Sequence, residues 1–123
     1  MMKMDPYHCL QHIFLHAVER VEPEGCVTQA VTCDGDHIHI HTKNVNQSFD
    51  LMEFEKIIVI GAGKAALPMA QALEELLGDR ITEGFVSVKY GSIGSLKYIE
   101  KWEAGHPLPD ENSVIAANRI LEL

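Results

Sequence analysis

The sequence predicts an α/β fold in which a central, mostly parallel sheet is sandwiched between helices, preceded by an N-terminal helix and a β-hairpin. Three observations lead there. The run Ile57-Ile58-Val59-Ile60 is apolar and mostly β-branched, which suits a strand buried on both faces, as central parallel strands are. It passes through Gly61-Ala62-Gly63 into Leu67, Ala70, Leu73, Leu76 and Leu77, a helical stripe with a natural stop at Gly78. A second short apolar run, Gly84-Phe85-Val86-Ser87-Val88, closes a strand-helix-strand unit, whose strands are parallel and whose crossover is right-handed.

The remaining elements follow in order. From Asp5 to Val21 the residues Tyr7, Leu10, Phe14, Ala17, Val18 and Val21 recur at helical spacing, so this segment reads as an amphipathic helix. His8, His12 and His16 fall one turn apart on the side nearly opposite that apolar face and should point into solvent. Pro23 and Gly25 end the helix and lead into a strand, Val27 to Cys33, joined through Asp34-Gly35 to a second strand, Asp36 to Thr42. An Asp-Gly pair between alternating runs signals a hairpin. Asn44 to Phe54 carries polar and turn-forming residues and reads as a connection into the central strand. Lys97 to Trp102 is the candidate third strand of the parallel sheet. Asp110 is a good N-cap for a helix from Glu111 onward, with Val114, Ala117 and Leu121 along one face. That helix runs to Ile120-Leu121-Glu122-Leu123 without a glycine stop, and so few parallel strands would leave an unpaired edge. The expectation is therefore an N-terminal piece of a longer protein.

Composition narrows the function. A chain of 123 residues with 46% hydrophobic content is one domain with an ordinary core. A formal net charge of −8 argues against nucleic acid or an anionic membrane as the main partner, since both repel an acidic surface. Any anion site must be a local one. The longest apolar run is far too short to span a bilayer, and the N-terminus lacks a basic-then-apolar leader; the expected location is the cytoplasm. Cys9, Cys26 and Cys33 form no Cys-x-x-Cys pair, and an odd, scattered set fits a reducing compartment. His37, His39 and His41 alternate with Ile38 and Ile40 and share one face. Both histidine groups read as solvated polar faces, and no residue is assigned to a metal. The alternative is a non-catalytic metal-binding or assembly module, which requires stoichiometric metal.

The chemistry concentrates in two loops. Gly61 and Gly63 let the backbone turn sharply and leave the first amides of the next helix open to an anion, usually phosphate. Lys64 puts a positive charge where the helix dipole is already positive, at a cost of roughly a few tenths of a kcal/mol or more, and a bound phosphoryl or carboxylate group relieves that repulsion. The bland alternative is a solvated surface lysine. Pro68 is tolerated only in a first turn, so the helix begins near Lys64 or Ala65. The second strand discriminates between cofactors. In a dinucleotide-binding fold it ends in an acid that holds the ribose hydroxyls, whereas here it runs into Lys89-Tyr90-Gly91. Lys89 either favours a 2′-phosphate or adds a second positive group beside Lys64. The turn also lacks the longer Gly-x-x-x-x-Gly-Lys-Ser/Thr spacing of a P-loop. In the other loop, Pro107 and Pro109 flank one residue and stiffen the chain, presenting His106 in a defined place. His106 reads as a substrate ligand or proton-transfer group, against the alternative of an ordinary loop histidine.

Together, Ile57-Ile58-Val59-Ile60-Gly61-Ala62-Gly63-Lys64-Ala65-Ala66 and Glu103-Ala104-Gly105-His106-Pro107-Leu108-Pro109-Asp110-Glu111-Asn112 resemble the N-terminal region of the glycerate 2-kinase family. This is the family with a C-terminal MOFRL domain, whose members also carry the name hydroxypyruvate reductase. The resemblance runs from Asp5 to the end and is most specific in the pairing of a Gly-Lys-Ala turn with a Gly-His-Pro-x-Pro-Asp loop. It implies a Rossmann-like α/β/α N-terminal domain, an active site in a cleft between two domains, and ATP-dependent phosphorylation of glycerate to 2-phosphoglycerate. Mg²⁺ is expected to carry much of the charge. On this reading Lys64 is the catalytic residue that contacts substrate or the transferred phosphoryl group. Gly61 and Gly63 allow close backbone approach, Lys89 adds phosphate-binding charge and His106 lines the cleft. Residues 1–123 are then the N-terminal part of such a domain. The C-terminal domain and a glycine-rich nucleotide segment lie outside them, and the chain alone is expected not to turn over substrate. Ser92 stands where family members commonly carry a histidine after the Tyr-Gly. The implied partners are glycerate and ATP, with a homodimer compatible; the runner-up activity is an NAD(P)H-dependent hydroxypyruvate reductase.

Overall fold

The structure is a computed structural model and describes residues 5–123. In chain order its elements are α1 (Pro6–Glu19), α2 (Pro23–Ala30), β1 (Val31–Asp34), β2 (His37–His41), β3 (Asn46–Asp50), β4 (Ile58–Ala62), α3 (Ala66–Leu77), β5 (Glu83–Lys89), β6 (Glu100–Ala104) and α4 (Glu111–Leu121). β1, β2 and β3 make an antiparallel sheet in that order; β4, β5 and β6 make a parallel one.

The parallel sheet is the frame of the molecule. Val59, Val86, Val88 and Ile99 pack with Leu67, Ala70 and Leu77 of α3, so alternate strand residues meet the apolar stripe of that helix. On the other face Phe85 stacks on Trp102 with ring centroids 6.5 Å apart, and α4 packs against β5 and β6. Helices therefore cover both faces, as the α/β/α expectation requires. The strands approach closely at Gly84, where a Cβ would lie 2.8 Å from Ile99 Cγ1 and 3.0 Å from the Val59 carbonyl oxygen. The antiparallel sheet is joined to this core through Cys33 and Ile38, which pack against it half-buried.

Four expectations need correction. Pro23 does not lead into a strand; it occupies the first turn of α2, where its missing N–H costs nothing, and Val27 to Ala30 are helical. Packing of α2 against α3 holds this short helix, overriding the β-branched character of Val27 and Thr28. Part of the presumed connection from Asn44 to Phe54 is β3, paired with β2 from His41↔Asn46 to His37↔Asp50. The turn before it is built by Thr42, whose Oγ1 accepts from the Val45 amide at 3.1 Å, so polar residues form a strand because a partner edge is waiting. The third parallel strand starts at Glu100 rather than Lys97, because the Glu74 carboxylate takes the amides of Lys97, Tyr98 and Ile99 at 2.6–2.9 Å. Those amides are withdrawn from the ladder.

The fourth correction concerns burial. β4 is the edge of the parallel sheet, and the run expected to be buried on both faces has Ile60 58% exposed. Its register partner is Phe85, on the face that α4 covers at β5 and β6. α1 is likewise bare: the histidines face solvent as expected, but so does the apolar stripe, with Tyr7 77% and Leu10 66% exposed. No side chain of α1 is buried.

Candidate active site

The carboxyl ends of β4, β5 and β6 converge on a cavity of about 170 Å³, with Gly63, Ser87, Lys89, His106 and Ser113 on its wall. Open parallel sheets present their ligand crevices at these ends. Three residues singled out from separate segments of the sequence, Gly63, Lys89 and His106, are thus brought together. The other two are not on this wall. Gly61 lines a neighbouring apolar cavity of about 210 Å³ with Ile60, Ala65 and Met69, and Lys64 lies in the turn just beyond Gly63, exposed to solvent.

Local chemistry explains the turn. Gly63 has φ +110°, a backbone state that a side chain would strain. Its amide donates to the Ser87 carbonyl at 3.0 Å, tying the turn to the next strand. α3 then starts with Ala65 at the N-cap and no side-chain cap. The Ala66 amide donates to the Gly63 carbonyl at 3.2 Å and the Met69 amide to the Ala65 carbonyl at 3.1 Å, and Pro68 has no N–H, so of the first turn only the Leu67 amide is left for an incoming anion. The dipole and Lys64 both favour an anion at this point. Gly61 is held close to the next strand, since a Cβ there would sit 3.3 Å from Val86 Cγ1; its smallness serves packing.

The His106 loop is fastened by Asp110. One carboxylate oxygen accepts from the Tyr90 hydroxyl at 2.6 Å. The other accepts from the Gly105 amide at 3.0 Å and the Ser113 amide at 3.1 Å. Ser113 closes a capping box on α4 by accepting from the Asp110 amide through its hydroxyl. The Tyr90 hydrogen bond, joined by those from Gly105 and Ser113, holds the Asp110 carboxyl at about 2 against an ordinary 3.8. The same bond pushes the Tyr90 phenol up. Asn112 donates to Tyr90 Oη and to the Glu103 carbonyl, each at 3.0 Å. The end of β5 and the loop after β6 are therefore clamped together, which is why Lys89 and His106 share a wall.

Gly105 belongs to this clamp, because a Cβ there would run into the Leu108 carbonyl and the Asp110 carboxylate. A second fastening comes from Lys101, half-buried on β6, whose ammonium donates to the Ser92 and Gly94 carbonyls at 3.0 Å each. Ser92 turns its hydroxyl back onto the Lys89 carbonyl at 2.7 Å. Sequence reasoning found Asp110 only as a cap and missed Tyr90, Asn112 and Lys101. The capping signal was readable locally; the partners lie up to 22 residues away in the chain and carry no local signature.

A glycine turn, an open helix start, a lysine and an imidazole at parallel strand ends define a class, an α/β domain whose crevice suits an anionic ligand. Within it, the chain belongs to the family described as Domain of unknown function (DUF4147), whose model matches residues 9–123. It is similar to the D-glycerate 2-kinase of Thermotoga maritima, 42% identical over 80 residues that cover 64% of this chain and 19% of that protein. The glycerate 2-kinase of Pyrococcus horikoshii is 37% identical over 110 residues, 87% of this chain and 22% of its own length. A solved Pyrococcus horikoshii structure superposes with a TM-score of 0.79 at 34% identity, over 99% of this chain and 26% of its own. The chain spans about a fifth of the length of these two kinases. The resemblance carried by the Gly-Lys-Ala turn and the Gly-His-Pro loop holds.

Proposed function

We propose that residues 1–123 are the N-terminal part of a glycerate 2-kinase domain, a protein that transfers a phosphoryl group from ATP to the 2-hydroxyl of glycerate. The observation that supports this best is the convergence of Gly63, Lys89 and His106 on one small cavity, with Lys64 at the open start of α3 beside it. Phosphoryl transfer asks little covalent chemistry of the protein; it asks for in-line positioning and neutralised charge. Lys64 takes the transferred group, helped by the positive end of the α3 dipole. Gly63 keeps the backbone free of a side chain where that group approaches. Lys89 holds the charge of the acceptor or of a phosphate, and His106 orients the acceptor beside it. A cavity of about 170 Å³ has room for a three-carbon hydroxy acid or a phosphoryl group, well under the ~300–1,000 Å³ of pockets for larger ligands. The nucleotide therefore lies beside it, in a cleft completed by residues beyond this chain.

Mg²⁺ is ordinarily held by one or two carboxylates together with the nucleotide's phosphate oxygens and water. Among the described residues no group of three His, Cys, Asp or Glu is placed to hold a metal, and both oxygens of Asp110 are engaged by hydrogen bonds. An all-protein cage is not required, since in the full-length protein the ion would arrive with the nucleotide's phosphates. The reductase reading is weaker because β5 ends in Lys89, where an NAD site needs an acid. A paired assay on the longest protein encoded by the gene separates the two. Glycerate-dependent ATP consumption without NAD(P)H oxidation by hydroxypyruvate is the expected result; the reverse pattern would overturn the kinase reading. The 123-residue chain alone should show neither activity.

A further inference from the structure

We propose that His8 and His12 form a chelating site for a divalent transition ion of the copper or nickel class on the outer face of α1. The helix sets residues four apart on one face, and here the two imidazole Nε2 atoms lie 3.0 Å apart. The rings meet edge to face, with centroids 4.4 Å apart. Without metal, one ring donates its Nε2 proton to the lone pair of the other; a small rotation of the two exposed rings turns both lone pairs to a shared ion.

The donor type points to the metal class. Imidazole nitrogens bind first-row ions at about 2.0–2.1 Å. Imidazole donors suit copper and nickel, and the affinity of such a site rises along the divalent series to copper and falls again at zinc. On binding, the donor ring carries its proton on Nδ1 instead of Nε2, both rings stay neutral, and water fills the remaining positions. The other histidines are arranged differently. His16 Nδ1 faces Glu19 at 3.6 Å, His37 faces Asp50 at 3.9 Å, and the His37 and His39 rings lie nearly parallel with centroids 6.5 Å apart.

A consequence follows for the helix itself. α1 is 14 residues long and buries no side chain, and an unsupported helix of that length is marginal in water. Chelation across one turn ties residues 8 and 12 in the helical state, so the ion stabilises α1 by mass action. This inference is independent of the kinase reading.

Titration of the untagged chain with CuCl₂, NiCl₂ and ZnCl₂ by calorimetry, with amide exchange read over residues 6–19, tests it. The expected result is one equivalent bound, copper tightest and zinc weakest, with slower exchange in α1. H8N and H12N should each weaken copper binding by at least about tenfold, while H16A and H39A leave it unchanged. Copper affinity retained in H12N, lost in H39A, or weaker than that of zinc overturns the proposal, as does the absence of saturable binding. All four positions lie outside the buried core, so unaltered exchange in β5 verifies that each variant is folded.

Discussion

Glu74 lies within α3, and its carboxylate reaches out of the helix to receive three successive amides from the segment that leads into β6. Removing it leaves those amides without a partner in a half-buried place, so Glu74→Ala should destabilise the chain by about 2–3 kcal/mol in urea unfolding. Glu75→Ala, one residue on and exposed, should stay within about 0.5 kcal/mol. Asp110 gives a pH signature. Its folded value of about 2 lies below the ordinary 3.8. The stability it contributes is therefore present above the ordinary value and lost as pH falls through the folded one. Asp110→Asn should flatten the decline in unfolding free energy across that acid window. Tyr90 has the opposite sign: its value is raised above 10.0, so its contribution is present below that and lost at still higher pH, and Tyr90→Phe should abolish the alkaline loss. At this scale the sequence was legible where a motif is contiguous, as for Gly63, Lys89 and His106. It was silent for Glu74, Lys101 and Tyr90, whose partners are set by the packing of distant segments.

Elements with a strong periodic signal and a clear terminator were readable. α3 with its Gly78 stop and α4 with its Asp110 cap lie where their residues point, and the β1–β2 hairpin forms with its turn one residue later than expected, at Gly35-Asp36, because Asp34 pairs with His37. β3 and the start of β6 were not, because in each a tertiary hydrogen-bond partner decides whether a weakly patterned segment is strand or loop. α2 was lost through a signal with two meanings, since Pro23 can close one helix or open another. The parallel packing supplies its own test. A methyl group at Gly84 meets Ile99 Cγ1 at 2.8 Å and the Val59 carbonyl at 3.0 Å. Gly84→Ala should therefore push β4, β5 and β6 apart and cost about 1–3 kcal/mol by thermal or denaturant unfolding.

Across the whole molecule the largest departures from expectation are exposures. Ile60 on β4 and the apolar stripe of α1 are patterned for burial and stand in solvent. A pattern reports what a residue is suited to, and the described fold leaves both faces uncovered. In an open doubly wound sheet the ligand crevice lies where strand order reverses, and β4, which carries the glycine turn, is at the sheet edge here. The account holds that this turn handles the transferred phosphoryl group, and Lys64 is where it is most exposed to test. The decisive measurement is steady-state kinetics of Lys64→Ala in the longest protein of the gene, run beside its melting curve. The account predicts a fall of about 100-fold or more in kcat/KM for glycerate-dependent ATP consumption, with the melting temperature within about 2 °C of the unaltered protein. Near-normal turnover in that variant would contradict it.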